Sequence, residues 1–193
     1  MQSQFGYLKN NPYLCTMNLE QKVELLNDIR HKKSNFQENN DFKEFLADCK
    51  LYLNPSGYGT RIENRWILDN GYETIHKTLG RGDYKDGNEF VEFKVSYKSN
   101  EKYTFLQFRP FQNINRYDLM MVDYNMDYSI YQIPKSDMVK ILENSNEVCH
   151  GTKEHNILNE NLEYRITMDS SLINKLNKFL ISKTKKNSPN IFW

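Results

Sequence analysis

Between Gly71 and Tyr131 apolar residues recur at every second position, the spacing of a pleated strand rather than of a helix. Candidate strands fall at residues 78–84, 89–96, 103–109, 118–124 and 128–133, and together they predict a sheet. The Asp86-Gly87 step between the first two is a preferred hairpin turn, because glycine tolerates the positive φ that a tight connection requires. Those two strands are expected to pair antiparallel, within a mainly antiparallel meander.

Helical spacing governs the flanks. Leu19, Val23, Leu26 and Ile29 follow Asn18 at helical intervals, and Phe42, Phe45, Leu46, Cys49 and Leu53 repeat the pattern beyond a polar loop at 34–41. A break at Asn54-Pro-Ser-Gly-Tyr-Gly59 precedes a third helix, 60–69, ended by Asn70-Gly71 as a left-handed cap. After Pro134 a short helix carries Met138, Ile141 and Leu142, and a polar loop holding His150-Gly151-Thr152 leads to a strand at 163–168. A last helix, starting behind Asp169 or Ser170, buries Leu172, Leu176, Phe179 and Leu180 and ends in the basic run 183–186. The order is α/β in the broad sense. It is read as one domain over 1–193, with a helical part at 1–55, a core at 60–133 and a helix-strand-helix part at 134–193.

With 193 residues, 13 Tyr and 11 Phe, the chain can build an ordered core. No run approaches the roughly 20 apolar residues of a bilayer span, and residues 1–9 lack a signal pattern, so a soluble cytoplasmic protein is expected. Cys15, Cys49 and Cys149 are odd in number and far apart, which points to buried thiols rather than to a disulfide or zinc framework. His31, His76, His150 and His155 show no metal-ligand spacing. Since 26 basic residues balance 25 acidic ones, any DNA binding has to come from local patches.

Alternation along 89–96 sends Val91, Phe93 and Val95 to one face and Glu92 with Lys94 to the other. On an ordinary surface strand that would be a solvated pair contributing about 0.2–1 kcal/mol. Asp83, in Gly82-Asp83-Tyr84 on the preceding strand, changes the reading, because antiparallel pairing brings its carboxylate toward Glu92. Two such acids repel unless a cation lies between them, and hard oxygen donors with room for water suit magnesium. Phosphodiester hydrolysis uses such a site, with a lysine beside it to support the nucleophile or the growing negative charge.

Asp83, Glu92, Phe93 and Lys94 resemble the motif of the PD-(D/E)xK nucleases, an acid, a variable gap, then acid-x-lysine, with Gly82 where the family has proline. The likeness covers about 60–131, with a weaker echo to 168, and is specifically to small type II restriction endonucleases. It implies a restriction-endonuclease-like core, a central mixed sheet in the order αβββαβ between amino-terminal helices and a carboxy-terminal strand and helix. It also implies Mg²⁺-dependent, site-specific cleavage of double-stranded DNA by a homodimer. Asp83, Glu92 and the Phe93 backbone carbonyl would hold the metal, and Lys94 would position the attacking water. Glu63 on the preceding helix would be the accessory acid, with Glu73 its rival.

The stretch from Phe105 to Tyr117 is similar to a segment of several such endonucleases. It suggests that Gln107 faces Lys94 and assists there and that Arg109 clamps a phosphate, while both residues suit an ordinary wet sheet face equally well. Gln112 and Asn113, with His150, Thr152 and Lys153 of the late His-Gly-Thr turn, are the other candidate DNA contacts. Two rival functions stay open: a structure-specific repair, resolvase or phage-defence nuclease of the same fold, and a nucleic-acid-binding protein without catalysis.

Overall fold

The computed structural model describes residues 18–24, 27, 41–75, 81–143 and 163–183. The chain divides into two compact units, Met1–Arg61 and Ile62–Trp193.

In the first unit residues 19–24 are helical, with the Asn18 side chain accepting from the Gln21 amide at 2.9 Å. Leu26 and Ile29 of that expected helix lie outside the described residues. Helix α1 (Phe42–Tyr52) starts behind Asp41, whose carboxylate accepts from the Lys43 and Glu44 amides, and it buries Phe45, Leu46 and Cys49. Burial pushes the Cys49 thiol up to about 12, the behaviour of an inert core thiol. Cys15 and Cys149 lie outside the described residues.

Helix α2 (Pro55–Asn70) begins five residues earlier than the sequence suggests. Asn54 accepts from the Gly57 amide at 2.8 Å, and a proline at the first helical position gives up only an N–H that has no partner inside a helix. The apparent glycine-rich break is thus the first turn of the helix. Its end is as read: Gly71 at φ +66°, with Gly71 N–H bonding Leu68 O and Tyr72 N–H bonding Ile67 O.

The second unit is mixed α/β around a mostly antiparallel six-stranded sheet. Its strands are β1 (Glu73–Thr74), β2 (Tyr84–Asp86), β3 (Glu89–Tyr97), β5 (Arg116–Val122), β6 (Tyr128–Pro134) and β8 (Leu180–Lys183), in that spatial order. Strands β4 (Tyr103–Phe108) and β7 (Tyr164–Met168) form a separate antiparallel pair. Helix α3 (Lys135–Glu143) follows β6, and α4 (Ser170–Leu176) precedes β8. Among the described residues no helix is long and apolar enough to cross a membrane.

Three expectations are corrected. Of the expected strand at 78–84, residues 78–80 lie outside the described residues, 81–83 are not strand and β2 begins at Tyr84, so Asp83 stands just ahead of a strand rather than within one. The expected meander is interrupted, because β4 leaves the sheet to pair with β7 and β3 pairs with β5 in parallel. A parallel pair needs a long crossover, and residues 98–115 supply it. The last helix stops at Leu176, since Leu180–Lys183 pairs with β6 and supplies partners for backbone groups that an edge strand would leave bare.

The two faces of the sheet bury different sets. On one, Trp66 from α2 stacks on Phe93 with ring centroids 6.1 Å apart. On the other, Tyr117, Leu119, Met121, Tyr131 and Ile133 join Phe105, Phe108, Tyr164, Ile166, Met138, Leu142 and Leu176 in the main core.

Candidate active site

Register fixes where the acid-lysine strand points. Glu92 is paired with Tyr117 and Lys94 with Leu119, so both side chains emerge on the face that carries the main core. They are not a solvated surface pair: each keeps only 12% of its side-chain surface, and Lys94 Nζ lies 2.8 Å from Glu92 Oε1. Lys94 Nζ also stands 5.8 Å from the Phe108 ring centroid, a cation over an aromatic face. Burying a charged pair is costly unless its remaining bonding capacity is met. Here Gln112 Nε2 donates to Glu92 Oε2 at 2.8 Å, so both oxygens of Glu92 are engaged.

Asp83 reaches this cluster because β2 runs out. Its amide donates to Val91 O at 2.8 Å, continuing the ladder by one bond, and its Oδ2 then accepts from the Phe93 amide at 2.8 Å. Since Val91 turns its carbonyl toward β2, alternation turns the N–H and C=O of Phe93 to the same edge, where a carboxylate stands in place of a strand partner. Gly82 makes this approach possible. Its φ is +85°, and a Cβ on it would come within 2.4 Å of Val91 O. Proline is locked near φ −65° and could not occupy the position.

Burial, then the neighbouring Glu92, then Glu63 raise the Asp83 carboxyl, while the Phe93 N–H and Lys94 oppose them; the result is pushed up to about 7. Glu63, on α2, is 8% exposed and lies within the field that Asp83 feels. Glu73 is placed elsewhere, on the short edge strand β1, where its mostly exposed carboxylate lies 3.7 Å from Lys85.

The segment after β3 departs from its expected arrangement. Gln107 does not face Lys94: a register shift between Phe105 and Phe108 puts it in a bulge at φ +61°, exposed to solvent. Arg109, expected to clamp a phosphate, directs its guanidinium to Glu163 at 2.8 Å. Asn113 is exposed. Gln112, read as a DNA contact, is the one that enters the acid-lysine cluster. His150, Thr152 and Lys153 lie outside the described residues.

Sequence reasoning passed over a second buried polar cluster. Arg116 binds Asp118 at 2.8 Å and Asp86 at 2.6 Å and also reaches Glu89. Asp118, fully buried, accepts from Tyr84 Oη at 2.5 Å and from Gln132 at 3.2 Å. Burial opposes the Arg116 charge, but the bonds to Asp118, Asp86 and Glu89 outweigh it and hold the guanidinium above its ordinary value. This cluster ties the β2–β3 hairpin to β5, and so fixes the strands that carry Asp83 and Glu92.

Among the described residues no three His, Cys, Asp or Glu side chains form a metal-binding group by themselves. The donor set compatible with a divalent cation is therefore two carboxylates, Asp83 and Glu92, with the Phe93 carbonyl and water. The raised Asp83 carboxyl fits such a cation, since crowding by like charges is what a bound divalent ion relieves. Comparison with protein-family models and with curated proteins gives no significant match.

Proposed function

We propose that the protein is a Mg²⁺-dependent endonuclease acting on double-stranded DNA, of the site-specific type II kind and with a restriction-endonuclease-like core. The observation that carries this reading is the joining of Asp83, Glu92 and Lys94 at the end of β2, with Glu63 in the same electrostatic field. Asp83, Glu92 and the Phe93 carbonyl would hold Mg²⁺, which when bound supplies a Lewis acid for the phosphoryl oxygen. Lys94, held by Glu92, presents a cation where negative charge grows on the phosphate. Water oxygen bonds to phosphorus, the bond to the departing sugar oxygen breaks, and that oxygen leaves with a proton. Glu63, whose charge Asp83 feels, would assist through metal-bound water.

Purified protein is incubated with a long duplex DNA in Mg²⁺ or in EDTA, beside Lys94→Ala and Asp83→Ala. Discrete fragments that need Mg²⁺ and both side chains are the expected result. Cleavage confined to branched or single-stranded substrates would instead support a structure-specific nuclease. Intact DNA in every lane, or cutting indifferent to both substitutions, would overturn the assignment.

A further inference from the structure

Gln112 is held in place more firmly than a solvent-facing DNA contact needs. Its amide donates to Arg109 O at 3.1 Å, and its own carbonyl accepts from the Ile114 amide at 2.9 Å and from Lys135 Nζ at 2.6 Å. The adjoining residues are pinned too: Tyr117 Oη donates to Arg109 O at 3.0 Å, and Asn115 exchanges bonds with Phe90 on β3. The turn is thus fastened before Gln112 by Tyr117 of β5, after it by Phe90 of β3, and at Gln112 itself by Lys135 of α3.

The carboxamide has one orientation open to it. Glu92 Oε2 is an acceptor only, so the nitrogen has to face it, and the oxygen has to face away. That oxygen, Gln112 Oε1, is buried and has no hydrogen-bond partner among the described residues. A buried acceptor left bare is costly, and such an atom beside a reactive centre marks the place of a missing donor.

We infer that Gln112 is a positioning residue of the cation site: Nε2 fixes the carboxylate of Glu92, and the buried Oε1 would receive an O–H of water bound to the cation. The inference rests on the nuclease reading for its function, but not for its metal chemistry. Residues that orient a ligating carboxylate typically contribute 10- to 100-fold to metal affinity or activity.

The test compares wild type with Gln112→Met, which keeps the length of the side chain and removes both polar atoms. Mg²⁺ affinity is measured by calorimetry, melting temperature on the metal-free protein, and kcat and KM on duplex DNA. The expected result is a Mg²⁺ Kd weakened about tenfold, a lower kcat with KM for DNA unchanged, and a metal-free Tm close to wild type, because loss of the bare acceptor offsets loss of the donor to Glu92 Oε2. A raised KM at unchanged Mg²⁺ affinity would make Gln112 a DNA contact and overturn the inference. A lowered Tm with unchanged Mg²⁺ affinity would make it merely structural and overturn it as well. Should Gln112→Met not fold, Lys135→Met, which frees the Gln112 carbonyl, is expected to weaken Mg²⁺ in the same direction, and an unchanged affinity there overturns the inference. Mg²⁺ binding that needs Gln112 in a wild type unable to cut DNA would sink the nuclease reading alone, and a wild type that binds no Mg²⁺ sinks both.

Discussion

An Asp83 carboxyl pushed up to about 7 makes stability and activity pull in opposite directions. Between its ordinary range near 4 and about 7 the folded chain holds a proton that the unfolded chain has lost. Metal-free stability therefore falls as pH rises through that window, and the penalty is complete above it. Asp83→Asn removes the penalty, at most about 4 kcal/mol. Its Tm is expected to exceed wild type at pH 8 and to match it near pH 4 in thermal melts, while Mg²⁺-dependent cleavage is lost. Mg²⁺ favours the ionised carboxyl, so wild-type Mg²⁺ affinity should rise through about pH 7 in calorimetry, with proton release on binding. At Gly82 the constraint is steric. Gly82→Ala sets a Cβ against Val91 O at a left-handed φ, and a loss of about 2 kcal/mol or more is expected in denaturant unfolding.

Among elements, the β2–β3 hairpin carries the reading and the Arg116 cluster secures it. Arg116→Met leaves Asp118, fully buried, without its cation. Unfolding is expected to become easier by about 3–5 kcal/mol in denaturant melts. The hairpin was legible because Asp86-Gly87 has local turn chemistry, and Gly87 does take φ +57° between the paired Asp86 and Glu89. The place of β4 was not legible, since Tyr103, Phe105 and Phe108 would be buried in either sheet. Leu176, Phe179 and Leu180 satisfy helical spacing well enough to hide the strand that begins at Leu180. That Glu92 and Lys94 share one face followed from period two, whereas Gln112 comes from a turn, and a contact across 20 residues leaves no periodic trace. Arg116 and Asp118 carry no sign in the sequence of the cover that buries them.

For the whole molecule, the proposed activity would have one Asp83, Glu92 and Lys94 cluster serve one strand of a duplex, so cutting both strands at a symmetric site would call for two chains about a two-fold axis. Sedimentation of the protein on a duplex carrying its site is expected to give the mass of the duplex plus two chains. A single chain per duplex, with only nicked product, would exclude the paired arrangement.

The premature end of β2 also sets an order of events in time. Asp83 and Glu92 are neighbours in a tight hairpin, a contact that closes within microseconds. Gln112 meets Glu92 only after β4 has crossed over and β5 has docked beside β3 in parallel, a non-local pairing of the kind that slows folding. A refolding chain should therefore bring its two acids together early and acquire its full grip on Mg²⁺ late. With the proposed activity, a newly made chain would stay harmless to the DNA around it until its sheet is finished, and stopped-flow refolding with a metal-sensitive dye would show that delay as a lag behind the appearance of strand structure.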